Sequence, residues 1–277
     1  MRRIQCAGSI LGLLLVCGCG GGTAKPTPQP RASTESPTVD KSADVVVADP
    51  QLDEVPLQSE PGESDALPGA DAFAALVKAA ETNDADGWTK SEAKLQELGP
   101  QATSALAARL SDKSTVAREL AAMFLAQIGP DAASAADGLS KLLSDESTFA
   151  RVNAAAALST FEGYAEQVTT VLIELLSDAD ENVRLTAATS LRNVGPMAAK
   201  SVRALSQSLR DPNPQIRAAA AATLGELGPS AVSSLPALRA LRSDADESVV
   251  AAAAQAIRQL DAARDKTAVA TPASATE

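Results

Sequence analysis

Histidine is absent from this sequence, and aromatic residues make up only 2% of it. The absence of histidine excludes a Ser-His-Asp triad, a Cys-His pair, an imidazole zinc ligand and a histidine general base. The three cysteines, Cys6, Cys17 and Cys19, lie in the first nineteen residues, so the rest of the chain has neither disulfides nor thiolate metal sites. The sequence therefore predicts no catalytic residue, cofactor, bound metal or small-molecule substrate.

Basic residues are outnumbered by acidic ones, 24 to 35, which gives the 277-residue chain a formal net charge of −11. Binding to the phosphate backbone of a nucleic acid requires a basic face. The charge balance therefore argues against nucleic acid as the main partner.

The amino-terminal residues have the pattern of a secretory signal. Arg2 and Arg3 form a positive n-region, and residues 10–16 form an apolar core that is too short to span a bilayer, which requires about 20 apolar residues. Residues 16–19, Val-Cys-Gly-Cys, resemble a bacterial lipobox. This resemblance implies that a lipid is attached to Cys19, that cleavage occurs just before it, and that the new amino terminus is acylated. An ordinary cleaved signal peptide is the alternative.

The next segment has the composition of a tether. Residues 20–70 are rich in Pro, Ser and Thr, carry three basic and nine acidic residues, and show no helical periodicity. Such a segment cannot bury enough apolar surface to offset the entropy lost on ordering. We therefore predict a signal peptide at 1–18, a disordered, lipid-anchored linker at 19–70 and a disordered tail at 261–277. Because Gly20 is not the Asp associated with inner-membrane retention, we expect the anchor on the periplasmic face of the outer membrane.

Residues 71–260 contain an internal repeat with a period of 33 residues. An Asp recurs at this interval and is followed, six residues later, by an Arg; the pairs are Asp112 and Arg118, Asp145 and Arg151, Asp178 and Arg184, and Asp211 and Arg217. In the last unit Asp244 is followed instead by Val250, and a degenerate unit precedes the first pair. Most units end in Gly-Pro seventeen residues after the Asp, but one has Glu162-Gly163 there, which predicts an altered turn or a bend. Apolar residues on both sides of each Asp recur at helical spacing, so each unit is predicted to be a pair of helices in a solenoid.

The unit at residues 205–229, LSQSLRDPNPQIRAAAAATLGELGP, shows the pattern in full. A leucine-rich helix leads to an Asp-Pro turn, an Ile-Arg pair, a run of alanines and a final Gly-Pro. This pattern resembles the HEAT-repeat family, in the short form of phycobilisome-lyase-like proteins. The resemblance implies an all-α, right-handed α-solenoid of about six helical hairpins, in which the recurring Asp and Arg form a structural ladder. Their periodic recurrence also argues against a catalytic role.

One row of positions on the second helix of each unit is the predicted partner site. Positions 4, 7, 11 and 14 after each Asp share a helix face. The candidates on this row are Val116, Met123, Phe149, Val152, Leu185 and Arg192. In a HEAT stack the second helices line the concave side, so this row suits a partner helix or an extended peptide. Packing of the row between neighbouring repeats is the alternative.

These features together predict a membrane-tethered scaffold in the bacterial envelope that has no catalytic activity and binds a protein or peptide. A structural, self-associating spacer is one alternative. A lyase-like enzyme accessory is another, but it rests only on an analogy between folds.

Overall fold

The computed structural model describes residues 67–270, with side chains described up to residue 266. The signal peptide, Cys19, the linker up to residue 66 and the end of the tail from residue 271 lie outside the described residues. The predictions made for these segments therefore remain predictions.

Within the described range the chain forms twelve α-helices in six consecutive hairpins, which we call units 1 to 6. The odd-numbered helices are the first helices of the units and the even-numbered helices are the second. Their bounds are α1 Ala70–Thr82, α2 Ala85–Leu98, α3 Thr103–Ala108, α4 Thr115–Ile128, α5 Ala136–Leu142, α6 Thr148–Leu158, α7 Ala165–Leu175, α8 Glu181–Val194, α9 Val202–Ser208, α10 Pro214–Glu226, α11 Leu235–Ala240 and α12 Glu247–Ala270. No β-strand occurs in this part of the chain, and the prediction of an all-α solenoid is confirmed.

The hairpins stack in two layers around a continuous core. From α4 onward each second helix packs against the second helix of the next unit and against the first helix of its own unit. The core repeats with the sequence: leucines of the first helices are fully buried at Leu139, Leu172, Leu205 and Leu238, and alanines of the second helices at Ala121, Ala154, Ala187, Ala220 and Ala253. Alanine lets adjacent second helices approach closely, so each unit buries its apolar surface only when it has neighbours.

Short-range signals set the ends of the second helices. Helix α4 begins after Ser114, whose side chain accepts a hydrogen bond from the N–H of Ala117, and α10 begins after Asn213 in the same way. Helix α8 ends at Val194, and the next residue, Gly195, has a φ of 66°, in the left-handed region that glycine adopts readily. Because Pro196 cannot continue the α-helix, the next unit starts with a 3-10 turn before α9.

The connection between units 3 and 4 departs from this pattern, as the lack of Gly-Pro at the end of unit 3 predicts. Helix α6 ends at Leu158 after 11 residues, whereas the preceding second helix, α4, has 14. Helix α7 is then a single helix of 11 residues, in place of a 3-10 turn followed by a short α-helix. The connection between units 3 and 4 is therefore unlike those on either side of it.

The carboxyl-terminal helix is longer than predicted. Helix α12 continues to Ala270, past the predicted solenoid boundary at residue 260 and into the segment predicted to be a disordered tail. Residues 261–270 contain Ala, Arg and Lys, which favour helix, and no Gly or Pro. No helix within residues 67–270 is long and apolar enough to cross a membrane.

Candidate functional site

The recurring Asp and Arg side chains join neighbouring units. In each contact the guanidinium donates two hydrogen bonds to the carboxylate of the following unit, with Nε to Oδ2 distances of 2.8 to 2.9 Å and Nη2 to Oδ1 distances of 2.7 to 3.1 Å. The pairs are Arg118 with Asp145, Arg184 with Asp211, and Arg217 with Asp244. We call these three contacts the inter-unit ion pairs.

Each inter-unit ion pair also fixes the turns on its two sides. Arg184 Nη1 donates to the carbonyl oxygen of Asp178 in its own unit, at 2.9 Å. In the next unit, Asp211 Oδ1 accepts a hydrogen bond from the N–H of Asn213, at 2.9 Å. The Arg184 side chain is 13% exposed and that of Asp211 is 7% exposed, so water competes little with the contact.

The ion pairs shift the pKa of the groups that form them. The hydrogen bond from Arg118 lowers the pKa of Asp145, and burial offsets this effect only in part. Burial raises the pKa of Asp211, but the hydrogen bonds from Arg184 and from the N–H of Asn213 outweigh it and leave the pKa below its usual range. These carboxylates therefore stay ionised at neutral pH, which suits a structural contact and not a general acid or base.

One inter-unit contact that the repeat predicts is missing. Within the described residues Arg151 makes no ion pair with Asp178, although their positions match those of the other three pairs. Arg151 keeps the hydrogen bonds that each of these arginines donates within its own unit, here to the carbonyl oxygens of Asp145 and Glu146 at 2.7 and 3.2 Å. In place of the ion pair it donates to Thr148 Oγ1, at 3.3 Å. Asp178 Oδ1 accepts the N–H of Asp180. The interruption coincides with the altered connection between units 3 and 4.

The predicted partner row is only partly accessible. Met123 is 5% exposed and Val152 is 1% exposed, so both belong to the core, and the prediction that they line a partner site is wrong. The cause is the close spacing of the second helices. Helix α6, for example, packs against α4 on one side and against α8 on the other, which leaves a narrow strip open to solvent.

The other predicted residues do reach this strip, which we call the second-helix face. Val116, Phe149 and Leu185 are half-buried, and Arg192 is exposed. Residues at position 15 after each Asp also lie on the face and were missed; they are Gln127, Thr160, Asn193, Glu226 and Gln259, and all but Gln259 are exposed. A periodic signal could have revealed them, since this position is polar in every unit.

The second-helix face thus has apolar side chains near the starts of α4, α6 and α8, namely Val116, Phe149 and Leu185, and polar side chains towards the helix ends. Neighbouring helices are also linked there by hydrogen bonds: Asn153 Nδ2 donates to the carbonyl oxygen of Glu119, at 3.2 Å, and Asn193 Nδ2 donates to Ser159 Oγ, at 3.4 Å. These bonds fix the positions of neighbouring second helices relative to one another, so the side chains of the second-helix face form a preorganised surface.

A shallow depression of about 460 Å³ lies between the starts of α8 and α10. It is lined by Glu181, Pro212, Asn213, Pro214 and Gln215, and Asn213 Nδ2 donates to Glu181 Oε2 at 3.1 Å. The depression contains one carboxylate and no partner acid or base. No group of three or more Asp, Glu, Cys or His side chains in the described part of the chain is arranged to hold a metal ion.

The fold and these contacts define an α-solenoid repeat protein. Residues 103–192 and 169–258 match the family model for HEAT repeats. Together the matches cover more than half of the chain, which therefore belongs to the HEAT-repeat family. No curated protein matches the chain significantly.

Several solved structures are similar to this one. The crystal structure of an engineered protein matches with a TM-score of 0.51 and 24% identity, over 70% of this chain and 97% of that one. YibA of Escherichia coli matches with a TM-score of 0.50 and 21% identity, over 77% of this chain and 80% of that one. The complex of CpcE and CpcF of phycocyanin lyase from Nostoc has a TM-score of 0.47 and 26% identity, over 57% and 64% of the two chains. The first two of these similarities describe the fold.

Proposed function

We propose that this protein is a membrane-tethered scaffold that binds a protein or peptide segment through the second-helix face. The observation that carries the proposal is the apolar group at Val116, Phe149 and Leu185. At the position of Phe149, the following units have Asn182, Gln215 and Ser248. A half-buried phenylalanine next to Val116 and Leu185 provides the apolar anchor that protein interfaces use.

The chemistry of the face indicates the kind of partner. A segment that crosses the second helices would place apolar side chains against Val116, Phe149 and Leu185. Its polar groups would face Gln127, Thr160 and Asn193 at the other edge. An amphipathic helix or an extended peptide with one apolar edge satisfies both requirements. The fold is consistent with this role, because stacked repeats form an extended binding surface.

Photocrosslinking in the native cell tests the proposed partner site. The photoreactive residue benzoylphenylalanine replaces Phe149 or Leu185, and in a control it replaces Glu247, which is exposed at the start of α12. We expect one discrete adduct from the first two positions and none from the control. Equal labelling at all three positions, or no adduct at any of them, would contradict binding at this face.

We also propose that the chain is exported and anchored through a lipid on Cys19. The support for this proposal is the lipobox-like sequence that ends at Cys19. Metabolic labelling with an alkyne fatty acid tests it, with Cys17→Ala as the matched control for Cys19→Ala. We expect C19A to lose the label and C17A to keep it. Label that persists in C19A would refute the anchor and leave the proposed binding face untouched.

A further inference from the structure

The contact between units 3 and 4, which we call the 3–4 junction, has few of the polar contacts that join the other units from unit 2 onward. The junctions before units 3, 5 and 6 each contain an inter-unit ion pair, whereas within the described residues Arg151 and Asp178 form none. One side-chain hydrogen bond between described residues crosses the 3–4 junction, from Asn193 Nδ2 to Ser159 Oγ at 3.4 Å. Directional contacts that would fix the angle between these two units are therefore scarce.

The helices are also less closely packed at the 3–4 junction. In units 3, 5 and 6 the 3-10 turn that follows Gly-Pro packs against the first helix of the preceding unit. Unit 4 has no such turn, because α7 begins at Ala165 as a single α-helix. Helix α6 has 11 residues where α4 has 14, and its contact with α8 is the smallest between successive second helices from α4 onward.

The chain that connects units 3 and 4 is not restrained by proline. At the other connections from unit 2 onward a glycine is followed by proline, whose ring fixes φ. Here Gly163, with a φ of 90°, is followed by Tyr164, and both Glu162 and Gly163 are exposed. Glycine has the widest backbone freedom of any residue. This connection can therefore absorb a change in the angle between the units.

Apolar packing still holds the two units together. Ala154 and Leu158 of α6 and Ala187 of α8 are fully buried. Hydrophobic attraction has no preferred direction, whereas a bidentate ion pair fixes the orientation of the groups that it joins. Units that are joined almost wholly by apolar packing can pivot on one another while their apolar surface stays covered.

We propose that the 3–4 junction is a hinge between units 1–3 and units 4–6, and that Arg151 and Asp178 lock it in a second, closed arrangement. Both residues occupy the positions that form ion pairs at the other three junctions. Arg151 Nη1 is already held by the carbonyl oxygen of Asp145, at 2.7 Å, as Arg184 Nη1 is held by that of Asp178. Within the described residues Arg151 Nε has no acceptor and Asp178 Oδ2 has no donor. A pivot that brings these two atoms together completes the series of inter-unit ion pairs.

The hinge gives the second-helix face two arrangements, a consequence that rests on the proposed function. Phe149 lies in unit 3 and Leu185 in unit 4, so the pivot changes the distance between these apolar side chains. A partner that contacts both residues binds one arrangement better and shifts the equilibrium towards it. The hinge thereby couples partner binding to the angle between the two parts of the solenoid.

Distances between pairs of spin labels test the hinge in the free chain. Residues 20–277 contain no cysteine, so labels attach only at introduced ones. Gln127→Cys with Arg192→Cys reports a distance across the hinge, and Arg192→Cys with Arg258→Cys is the matched control, because it also spans two junctions but stays within units 4–6. All three positions are exposed near the ends of second helices. By double electron–electron resonance we expect two distance components from the first pair and one from the control.

Asp178→Ala tests the lock with the same pair of labels across the hinge. The structure shows the open arrangement, so the closed arrangement is the minor component, and D178A should lose it. Asp112→Ala is the matched control, because Asp112 has the same position in unit 2 but the preceding unit has Ala85 in place of the arginine. This control should keep both components.

A single distance component across the hinge, as narrow as that of the control pair, would overturn the proposal. Two components that both persist in D178A would overturn the assignment of Arg151 and Asp178 as the lock. These measurements use the chain without a partner, so their failure leaves the proposed binding site to be decided by photocrosslinking.

Discussion

The free energy that one inter-unit ion pair contributes to folding is measurable, because the chain contains a matched reference. Asp178 occupies the same position in its unit as Asp211 but forms no inter-unit ion pair. Asp211→Ala removes a carboxylate that accepts two hydrogen bonds from Arg184 and one from the N–H of Asn213. Breaking a nearly buried ion pair from one side costs about 3 kcal/mol, and the lost turn hydrogen bond adds about 1 kcal/mol. Asp178→Ala loses only the equivalent turn hydrogen bond, to the N–H of Asp180, for about 1 kcal/mol.

Urea unfolding followed by circular dichroism measures both changes against wild type. We expect the free energy of unfolding to fall by about 4 kcal/mol for D211A and by about 1 kcal/mol for D178A. Both variants replace the same turn position, so the local effects of the replacement are common to both. The difference between their losses in free energy of unfolding is therefore the contribution of the ion pair. Equal losses in the two variants would refute the reasoning that the ion pairs stabilise the stack.

Three further predictions concern pH, a buried hydroxyl and a close helix contact. The pKa values of Asp145 and Asp211 are lower in the folded chain than in the unfolded chain, where they lie near 3.9. The folded state therefore binds fewer protons, and the free energy of unfolding falls as the pH drops from about 5 to 2. Replacing both residues by Asn should flatten this dependence in urea unfolding across that range, and an unchanged slope would contradict the ion-pair assignment. The buried Thr103 hydroxyl has no hydrogen-bond partner within the described residues, so Thr103→Val should raise the free energy of unfolding by about 1 kcal/mol, and a decrease would show that the hydroxyl is satisfied. A Cβ on Gly225 would lie 2.8 Å from Ala256 Cα, so Gly225→Ala should lower the thermal unfolding midpoint despite its better helix propensity; a higher midpoint would contradict the close approach of α10 and α12.

Local features of the sequence predicted most of the fold. The 33-residue spacing of Asp and Arg, the helical spacing of leucines and the Gly-Pro stops identify helical hairpins because each depends on residues near in the chain. The missing Gly-Pro at Glu162-Gly163 likewise identified the altered connection before unit 4. The extension of α12 to Ala270 was not predicted, although residues 261–270 contain the helix-favouring Ala, Arg and Lys and no Gly or Pro.

The candidate site was harder to predict, because exposure depends on the distance between helices that are 33 residues apart. The row containing Phe149 also contains Val152, and sequence periodicity assigns both to one face. Only the packing of α4 and α8 against α6 shows that Val152 is buried whereas Phe149 is half-open. The missing contact between Arg151 and Asp178 depends in the same way on how units 3 and 4 stack.

Binding of the crosslinked partner to purified variants tests most directly whether the second-helix face is the binding site. Isothermal titration of that partner would compare wild type with Phe149→Asn and Leu185→Asn, and Arg203→Glu with Arg210→Glu would serve as a control on the opposite layer. We expect each second-helix variant to weaken binding by about 10-fold or more, equivalent to about 1.4 kcal/mol, while the variant stays folded at the temperature of the titration. The control should bind as wild type does. Unchanged affinity in both second-helix variants, with loss of binding in the control, would place the site on the first helices and contradict the proposal.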